Sequence, residues 1–212
     1  MQPLQPLPRA TKVYVGADAA ARLAEFGLRP DLFVRVCEEA IAHAAQITSH
    51  HPRGSFGTQL YEWAIFALRN ELALDDWVVE RPDSLETTVH PRRLIAIAYS
   101  RGSVETGQSM ETPATISEKG RATATTVAVN QLSFATAGFG DDLDDGTMAT
   151  YWLLLWVDEA TLEFRCELSL PSGMSSDHRV TRWIERIIIP TADANGGSRV
   201  LGAGQRRSFD AG

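Results

Sequence analysis

The sequence has 212 residues and a formal net charge of -7, with 44% hydrophobic and 22% charged residues. A chain of this length buries roughly 70% of its unfolded surface, so it needs neither a disulfide framework nor a structural metal for stability. The negative balance disfavours a broad nucleic-acid surface, because phosphate binding relies on clustered cations, and it leaves room only for a local basic patch.

Several features of the sequence indicate the cellular compartment. Residues 1–10 are rich in proline and glutamine and have no apolar run, so we expect a flexible arm and not a signal peptide. The longest apolar stretches are too short to span a membrane. Cys37 and Cys166 lie in apolar surroundings, which predicts reduced, buried thiols. These features favour a soluble, cytoplasmic protein of bacterial type.

The first third of the chain has the spacing of amphipathic helices. Residues 17–26 favour a helix that Gly27 ends, and Pro30 opens a second helix that fades before Pro52. In a third helix, apolar residues recur at helical spacing from Leu60 to Leu72. We therefore expect N-terminal helices over about residues 17–74.

The remainder of the chain has mostly β-type patterns. Short runs at 77–79, 85–89 and 94–99 are separated by turn residues. Residues 151–157 and 162–170 flank a short turn and predict an antiparallel hairpin. The first arm is apolar on both faces, so we place it at the centre of a sheet. The second arm alternates like a half-buried strand, with Phe164 and Cys166 inward and Arg165 and Glu167 outward.

Two segments fit both a helix and a strand. Residues 179–189 have apolar positions at helical spacing, yet the isoleucines before Pro190 favour a strand, since β-branched side chains lose rotamer freedom in helices. A strand here completes a C-terminal β-meander. For residues 125–134 we prefer a helix. Residues 101–124 are rich in Gly, Ser and Thr and predict a long mobile loop.

These expectations combine into one α+β fold. N-terminal helices pack on a mostly antiparallel sheet that includes the C-terminal meander. We predict a single domain over residues 11–190, followed by a flexible tail over residues 191–212, which is rich in Gly and Ser.

A short list of polar residues has the character of a catalytic or metal site. Glu39 and His43 are four residues apart on a predicted helix, where an acid and an imidazole on one face bind metals or move protons. His50 and His51 follow at the end of that helix. A zinc site needs three or four convergent ligands, and the helical metalloprotease motif is absent. The sequence therefore predicts no metal and no cofactor, and these four residues are only weak catalytic candidates.

Two acidic patterns in the sequence resemble cation sites. The run from Asp141 to Asp145 has Leu143 at a ligand position and no distal glutamate, which is typical of a solvated turn and not of a calcium loop. A metal nuclease core requires carboxylates on adjacent strands and a Glu-x-Lys motif, which this chain lacks. The acidic residues on β-type runs that such a core would use are Glu80, Glu86, Glu163 and Glu167.

The C-terminal β segment carries aromatic residues beside arginines, which is the composition of a protein-binding surface and equally of an ordinary core flanked by charge. The candidate binding residues are Trp152, Trp156, Trp183, Arg165, Arg182 and Arg186. With the weak catalytic signals, this favours a non-enzymatic binding or accessory subunit of a larger assembly, working through a protein partner or self-association. A metal-dependent hydrolase or nuclease and a structural component of a particle or phage-like assembly are the alternatives.

Overall fold

The computed structural model describes residues 10–90, 92, 94–136, 148–191 and 199–200. These residues form an α+β fold with four α-helices and a mixed, mostly antiparallel sheet. The helices are α1 Gly16–Glu25, α2 Pro30–Ala44, α3 Ser55–Leu72 and α4 Arg121–Thr136. A short 3-10 helix spans Pro82–Ser84.

Seven strands of the described residues lie side by side in the order β1-β7-β6-β5-β4-β3-β2. Their bounds are β1 Lys12–Tyr14, β2 Val78–Glu80, β3 Thr87–His90, β4 Ile95–Arg101, β5 Ala149–Val157, β6 Glu163–Met174 and β7 Val180–Ile189. The β1–β7 and β4–β5 pairs are parallel, and the other neighbours are antiparallel. A two-residue strand, β8 Arg199–Val200, pairs with the start of β6.

Local sequence explains where the first helices begin and end. Gly27 has a φ of 70° and donates its N–H to the carbonyl of Ala24 at 2.9 Å, while Leu28 donates to Leu23 at 2.9 Å. This left-handed glycine closes α1 because it satisfies carbonyls that the last turn leaves free. Pro30 then stands in the first turn of α2, where its missing N–H costs no hydrogen bond.

The larger core lies between α1–α3 and one face of the sheet. Leu153 and Leu155 of the central strand β5 are fully buried there, together with Phe33 and Ile41 of α2. The other face of the sheet is covered by α4 and by residues 102–120, which we call the strap. Its smaller apolar cluster includes Trp152 and is separate from the first core.

The main structural expectations are confirmed. Helix α1 lies within one residue of its predicted bounds, and α2 begins at Pro30 as predicted. Two helix ends differ from the prediction, because α2 already ends at Ala44 and α3 begins earlier, at Ser55. Strands β5, β6 and β7 form the predicted antiparallel meander, and β5 is the middle strand of the seven. Residues 125–134 lie in α4, and residues 180–189 of the predicted strand 179–189 form β7.

The prediction of a mobile loop over residues 101–124 is wrong in one respect. Its end forms the first turn of α4, and the strap is tied to the sheet by backbone and side-chain hydrogen bonds, among them a bridge between Gly102 and Thr115. In the predicted tail, Arg199–Val200 forms β8.

Three predicted segments lie mostly or wholly outside the described residues. They are the arm apart from Ala10, most of the tail, and the loop from Asp141 to Asp145. Within the described part of the chain, no helix is both long and apolar enough to cross a membrane.

The buried centre of β5 allows a direct test of the larger core. Replacing the fully buried Leu153 with alanine removes packing from a site that cannot collapse, so we expect a loss of about 2–5 kcal/mol in the free energy of unfolding. Leu74 is 96% exposed, and Leu74→Ala is the matched control, with an expected change within about 0.5 kcal/mol. Urea denaturation followed by circular dichroism measures both. Equal losses in the two variants would contradict this core.

Candidate functional site

A buried ion pair joins two neighbouring strands on the strap side of the sheet. Arg186 of β7 donates from Nε to Oε1 of Glu167 at 2.9 Å and from Nη2 to Oε2 at 2.6 Å. The side chains are 2% and 0% exposed. Ser169 Oγ also donates to Oε1, at 2.7 Å. A charge pair without water is costly unless hydrogen bonds satisfy its polar atoms, and this pair is bonded on both sides.

The same pair holds the strap. Arg186 donates from Nη2 to the carbonyl of Gln108 at 3.1 Å and from Nη1 to that of Glu111. In return, the N–H of Gly107 donates to Oε2 of Glu167 at 2.8 Å. Gly107 has a φ of 76°, and a Cβ there would lie 2.8 Å from Cβ of Arg165, so only glycine fits this approach. The strap is therefore fastened by charge-assisted hydrogen bonds to its backbone.

Further bonds fasten the second half of the strap. The indole of Trp183 donates to the carbonyl of Pro113 at 2.9 Å. Thr115 donates its N–H to the carbonyl of Val180 at 3.0 Å, and Val180 donates to the hydroxyl of Thr115 at 3.1 Å. Because Val180 and Trp183 both lie at the start of β7, the strap has a defined register on the sheet.

One edge of the strap presents an aromatic and a cation to solvent. The guanidinium carbon of Arg165 lies 4.1 Å from the ring centroid of Trp156, and its Nη2 donates to the carbonyl of Val104 at 2.8 Å. The side chains of Val104 and Ile116 are 52% and 41% exposed. Residues Val104, Ile116, Trp156 and Arg165 are called the strap face below.

A second cation lies at the same end of the sheet. Arg101, at the end of β4, accepts the N–H of Ile116 with its carbonyl at 3.1 Å. Its side chain pairs with Glu159 at 3.0 Å. Its guanidinium carbon lies 5.9 Å from the ring centroid of Phe56 in α3, so this side chain packs on the helix side of the sheet. The strap face therefore combines apolar side chains, a stacked aromatic and the guanidinium group of Arg165 beside a tethered backbone.

The structure divides the six predicted binding residues into two groups. Trp152, Trp183 and Arg186 are 1%, 3% and 2% exposed, so they pack inside the molecule. Trp156 and Arg165 are half-buried on the strap face, and Arg182 is exposed with its guanidinium across Gly173. The outward position expected for Glu167 is wrong, because the strap covers the face that the alternation pattern assigned to solvent.

The predicted histidine cluster does not converge. His43 stacks on Trp63 of α3, with ring centroids 3.3 Å apart and planes within 4°. His51 accepts the N–H of Thr48 with Nδ1 at 3.0 Å, and His50 is exposed in the loop after α2. Glu39 is half-buried on α2, one turn before His43. Among the residues that the structure describes, no three His, Cys, Asp or Glu side chains are grouped to hold a metal.

The glutamates considered for a nuclease core are spread over the sheet. Glu80 lies on the edge strand β2, and Glu86 pairs with Arg69 and Arg81 at 2.5 and 2.9 Å. Glu163 begins β6, which is separated from β2 by three strands, and Glu167 forms a buried ion pair with Arg186. These carboxylates therefore do not form a shared cation site.

A cleft of about 200 Å³ lies between α4 and strands β2–β4. Its lining is mainly apolar and threonine side chains, and Glu80 is its one titratable residue. The hydroxyl of Thr126 donates to Ala122 within α4, and that of Thr87 donates to the carbonyl of Glu80. The cleft is smaller than the roughly 300–1,000 Å³ of most ligand pockets, and two of its hydroxyls are already used. It does not have the features of a substrate site.

Another polar cluster ties α1 to the sheet. Tyr151 donates to Oε1 of Glu185 at 2.7 Å, and Arg22 donates to both oxygens of that carboxylate at 3.1 Å. Burial and the neighbouring Glu185 raise the pKa of Tyr151 well above its ordinary value. The phenol therefore stays protonated and acts as a hydrogen-bond donor, not as a base.

The two cysteines are buried free thiols, as predicted. A hydrogen bond with Cys37, together with burial, raises the pKa of the Cys166 thiol well above its ordinary value. Because the thiolate is the reactive form, Cys166 is not suited to nucleophilic catalysis, and Cys37 is fully buried.

Comparison with known proteins found no protein-family model, no curated protein and no solved structure that matches this chain. The candidate site is therefore defined by its geometry alone.

Sequence reasoning missed the main feature of this site, the anchoring of the strap by Glu167 and Arg186. One signal in the sequence pointed to it. Glu167 lies on a strand that is predicted to pair within the sheet, and a carboxylate that becomes buried is seldom without a partner. The position of Gly107 gave no such signal, since its role depends on the side chain of Arg165.

Removing the arginine of the buried pair tests the anchoring of the strap. Arg186→Leu leaves the carboxylate of Glu167 buried without a counter-charge, so we expect a loss of about 3–5 kcal/mol in the free energy of unfolding. Amide hydrogen exchange at Gln108 and Glu111 should become faster, because the strap loses its tether. Denaturation and exchange mass spectrometry measure the two effects.

The matched control is Arg179→Leu, since Arg179 is 44% exposed in its side chain and pairs with Asp177 at 3.1 Å. An exposed pair contributes little, so the expected change is below about 1 kcal/mol and the strap should exchange as before. Unchanged exchange at the strap in Arg186→Leu would contradict the anchoring.

Alkaline pH tests the buried phenols. Burial raises the pKa of Tyr99 and Tyr151 well above the ordinary value of 10.0, so both release protons more readily in the unfolded chain. The contribution of these two phenols to the free energy of unfolding is fully present below the ordinary tyrosine pKa and is lost as the pH rises above it. The free energy of unfolding should fall there, by about 1.4 kcal/mol per pH unit for each phenol.

Tyr99→Phe isolates one phenol. The hydroxyl of Tyr99 is buried without a hydrogen-bond partner among the described residues, so the variant should be as stable as the parent at neutral pH. Above the ordinary tyrosine pKa its stability should fall less steeply than that of the parent. Urea denaturation at several pH values measures the two slopes. If the stability of the parent and of Tyr99→Phe falls equally steeply with pH, the raised pKa of Tyr99 is disproved.

Proposed function

We propose that the protein is a non-enzymatic binding or accessory subunit, and that its strap face contacts a protein partner. The observation that carries this proposal is the stacked pair of Trp156 and Arg165 beside the exposed Val104 and Ile116. Aromatic and arginine side chains are enriched at the energetic centres of protein interfaces. Here they stand on strands β5 and β6, beside a strap whose backbone is already fixed by hydrogen bonds.

The fixed backbone matters for affinity. A loop that must become ordered on binding reduces the net affinity, because the lost conformational entropy opposes association. The strap is held by Glu167, Val180, Trp183 and Arg186 of the sheet, so Val104 and Ile116 are presented without that cost. This supports a preformed contact surface.

The remaining polar groups also favour binding over catalysis. The imidazole of His43 stacks on Trp63, and the carboxylates of Glu86 and Glu167 are paired with arginines. General acid–base chemistry needs such groups to be available to a substrate. The described residues therefore support the accessory role better than the hydrolase alternative.

The test is recovery of the partner by tagged protein from its native host under mild lysis, followed by mass spectrometry. Trp156→Ala combined with Arg165→Ala removes the stacked pair, and we expect the affinity for the recovered partner to fall at least roughly 30-fold, as for an interface centre. Thermal denaturation of the double variant shows whether it remains folded.

The matched control replaces an exposed aromatic and an exposed arginine elsewhere. Phe66 is 48% exposed, and the side chain of Arg29 is 72% exposed. Phe66→Ala with Arg29→Ala should leave the affinity unchanged. Equal losses in both double variants would contradict the strap face as the contact surface. A strictly monomeric protein that recovers no partner would contradict the accessory role, and ordered self-association at high concentration would favour the structural alternative.

A further inference from the structure

Strand β2 is an open edge of the sheet. It pairs with β3 on one side and ends the series of strands that the structure describes. The carbonyl of Glu80 points toward β3, where it accepts the hydroxyl of Thr87 at 3.1 Å. Because backbone groups alternate in direction along an antiparallel strand, the N–H and the carbonyl of Val79 point away from β3. The middle residue of β2 therefore offers a donor and an acceptor to an added strand.

The side chains of β2 offer contacts on both faces of the sheet. Glu80 lies opposite Thr87, which lines the cleft under α4, so Glu80 points to that face. Val78 shares this face and Val79 points to the other one, because side chains alternate along a strand. The two valines are 44% and 45% exposed. A strand added to β2 would cover part of each.

The cleft between α4 and strands β2–β4 reaches this edge. Glu80 lines it together with Pro82, Leu85 and Val129, and Val129 is 40% exposed. A cavity of roughly 150 Å³ accommodates a benzene ring, so a cleft of about 200 Å³ has room for one side chain. A long basic side chain suits it, because its aliphatic stem packs on apolar walls while its charge reaches a carboxylate.

The charges around the edge favour a basic strand. Asp76 and Glu86 are paired with arginines. In the described part of the chain, no arginine or lysine pairs with Asp75, Glu80 or Asp83. A second copy of β2 would bring like charges together, whereas lysine or arginine opposite Glu80 makes a favourable cross-strand pair.

We propose that the open edge of β2 binds an extended basic segment of another protein as an additional antiparallel strand. Backbone hydrogen bonds to Val79 hold this strand, and Glu80 selects a lysine or arginine opposite it. None of the strap-face residues belongs to β2, so this is a second and separate contact site.

A synthetic peptide tests the proposal. The probe is fluorescein-labelled Ser-Lys-Thr-Leu-Thr-Lys-Ser, in which alternation places both lysines and the leucine on one face of a strand. Fluorescence anisotropy with the full chain at about 0.15 M salt should give a Kd below about 1 mM. N-methyl groups on the threonine amides keep the charge and remove the donors, so that peptide should bind at least roughly tenfold more weakly. Equal binding of the two peptides, or no binding of the first, would overturn the proposal.

Variants of β2 locate the binding. Val79→Pro removes the outward N–H and no bond to β3, and proline is tolerated at such edge positions. We expect it to keep the melting temperature and to weaken binding at least roughly tenfold. Glu80→Gln should weaken binding about threefold, and the matched control Glu118→Gln, at an exposed position of the strap, should not change it. Equal effects of the two glutamine variants would also overturn the proposal.

Sedimentation of the protein without peptide tests the other occupant, a second copy of the chain. We expect no association through β2. A dimer that Val79→Pro dissociates would show that a second copy binds the edge, and it would overturn the proposal. These measurements use a synthetic peptide and changes in β2, so they are independent of the strap face and of the accessory role.

Discussion

The structure depends on one buried ion pair, Glu167 with Arg186. Moving two charges out of water is costly, and such a pair stabilises a fold only when its polar atoms are fully bonded. Here each carboxylate oxygen accepts two hydrogen bonds, and the guanidinium also bonds two strap carbonyls. The strap is therefore held in place by hydrogen bonds between its backbone and the two charged side chains. In return, the strap shields those charges from water.

This mutual dependence also shapes the strap face. Val104 and Ile116 belong to the strap, whereas Trp156 stands on β5 and Arg165 on β6. An untethered segment would present Val104 in many conformations, but here its carbonyl accepts a hydrogen bond from Arg165. The tether thus determines the shape of the contact surface.

The sequence predicted the architecture well where the signal is local. Gly27 and Pro30 mark helix ends through their own backbone preferences, and the alternation in β6 predicts a strand. The central place of β5 followed from apolar residues on both of its faces. These features depend on residues that are close together in the chain.

The candidate site was harder to predict because its contacts join distant segments. Alternation identifies a polar face of β6, but it does not tell whether solvent or another part of the chain covers that face. The groups that bind Arg186 are the carbonyls of Gln108 and Glu111, 78 and 75 residues away, and a carbonyl is the same for every residue type.

The pairing of β1 with β7 has a consequence for biosynthesis. Thr11 donates to the carbonyl of Trp183 across 172 positions of sequence, and Arg22 of α1 binds Glu185 of the same strand. A ribosome makes β1 first, yet β1 has no neighbour until β7 has emerged. An interrupted chain that lacks β7 leaves β6 as an open edge and α1 without its anchor, and such edges attract other chains. The sheet therefore gains its β1 edge only when synthesis has passed β7.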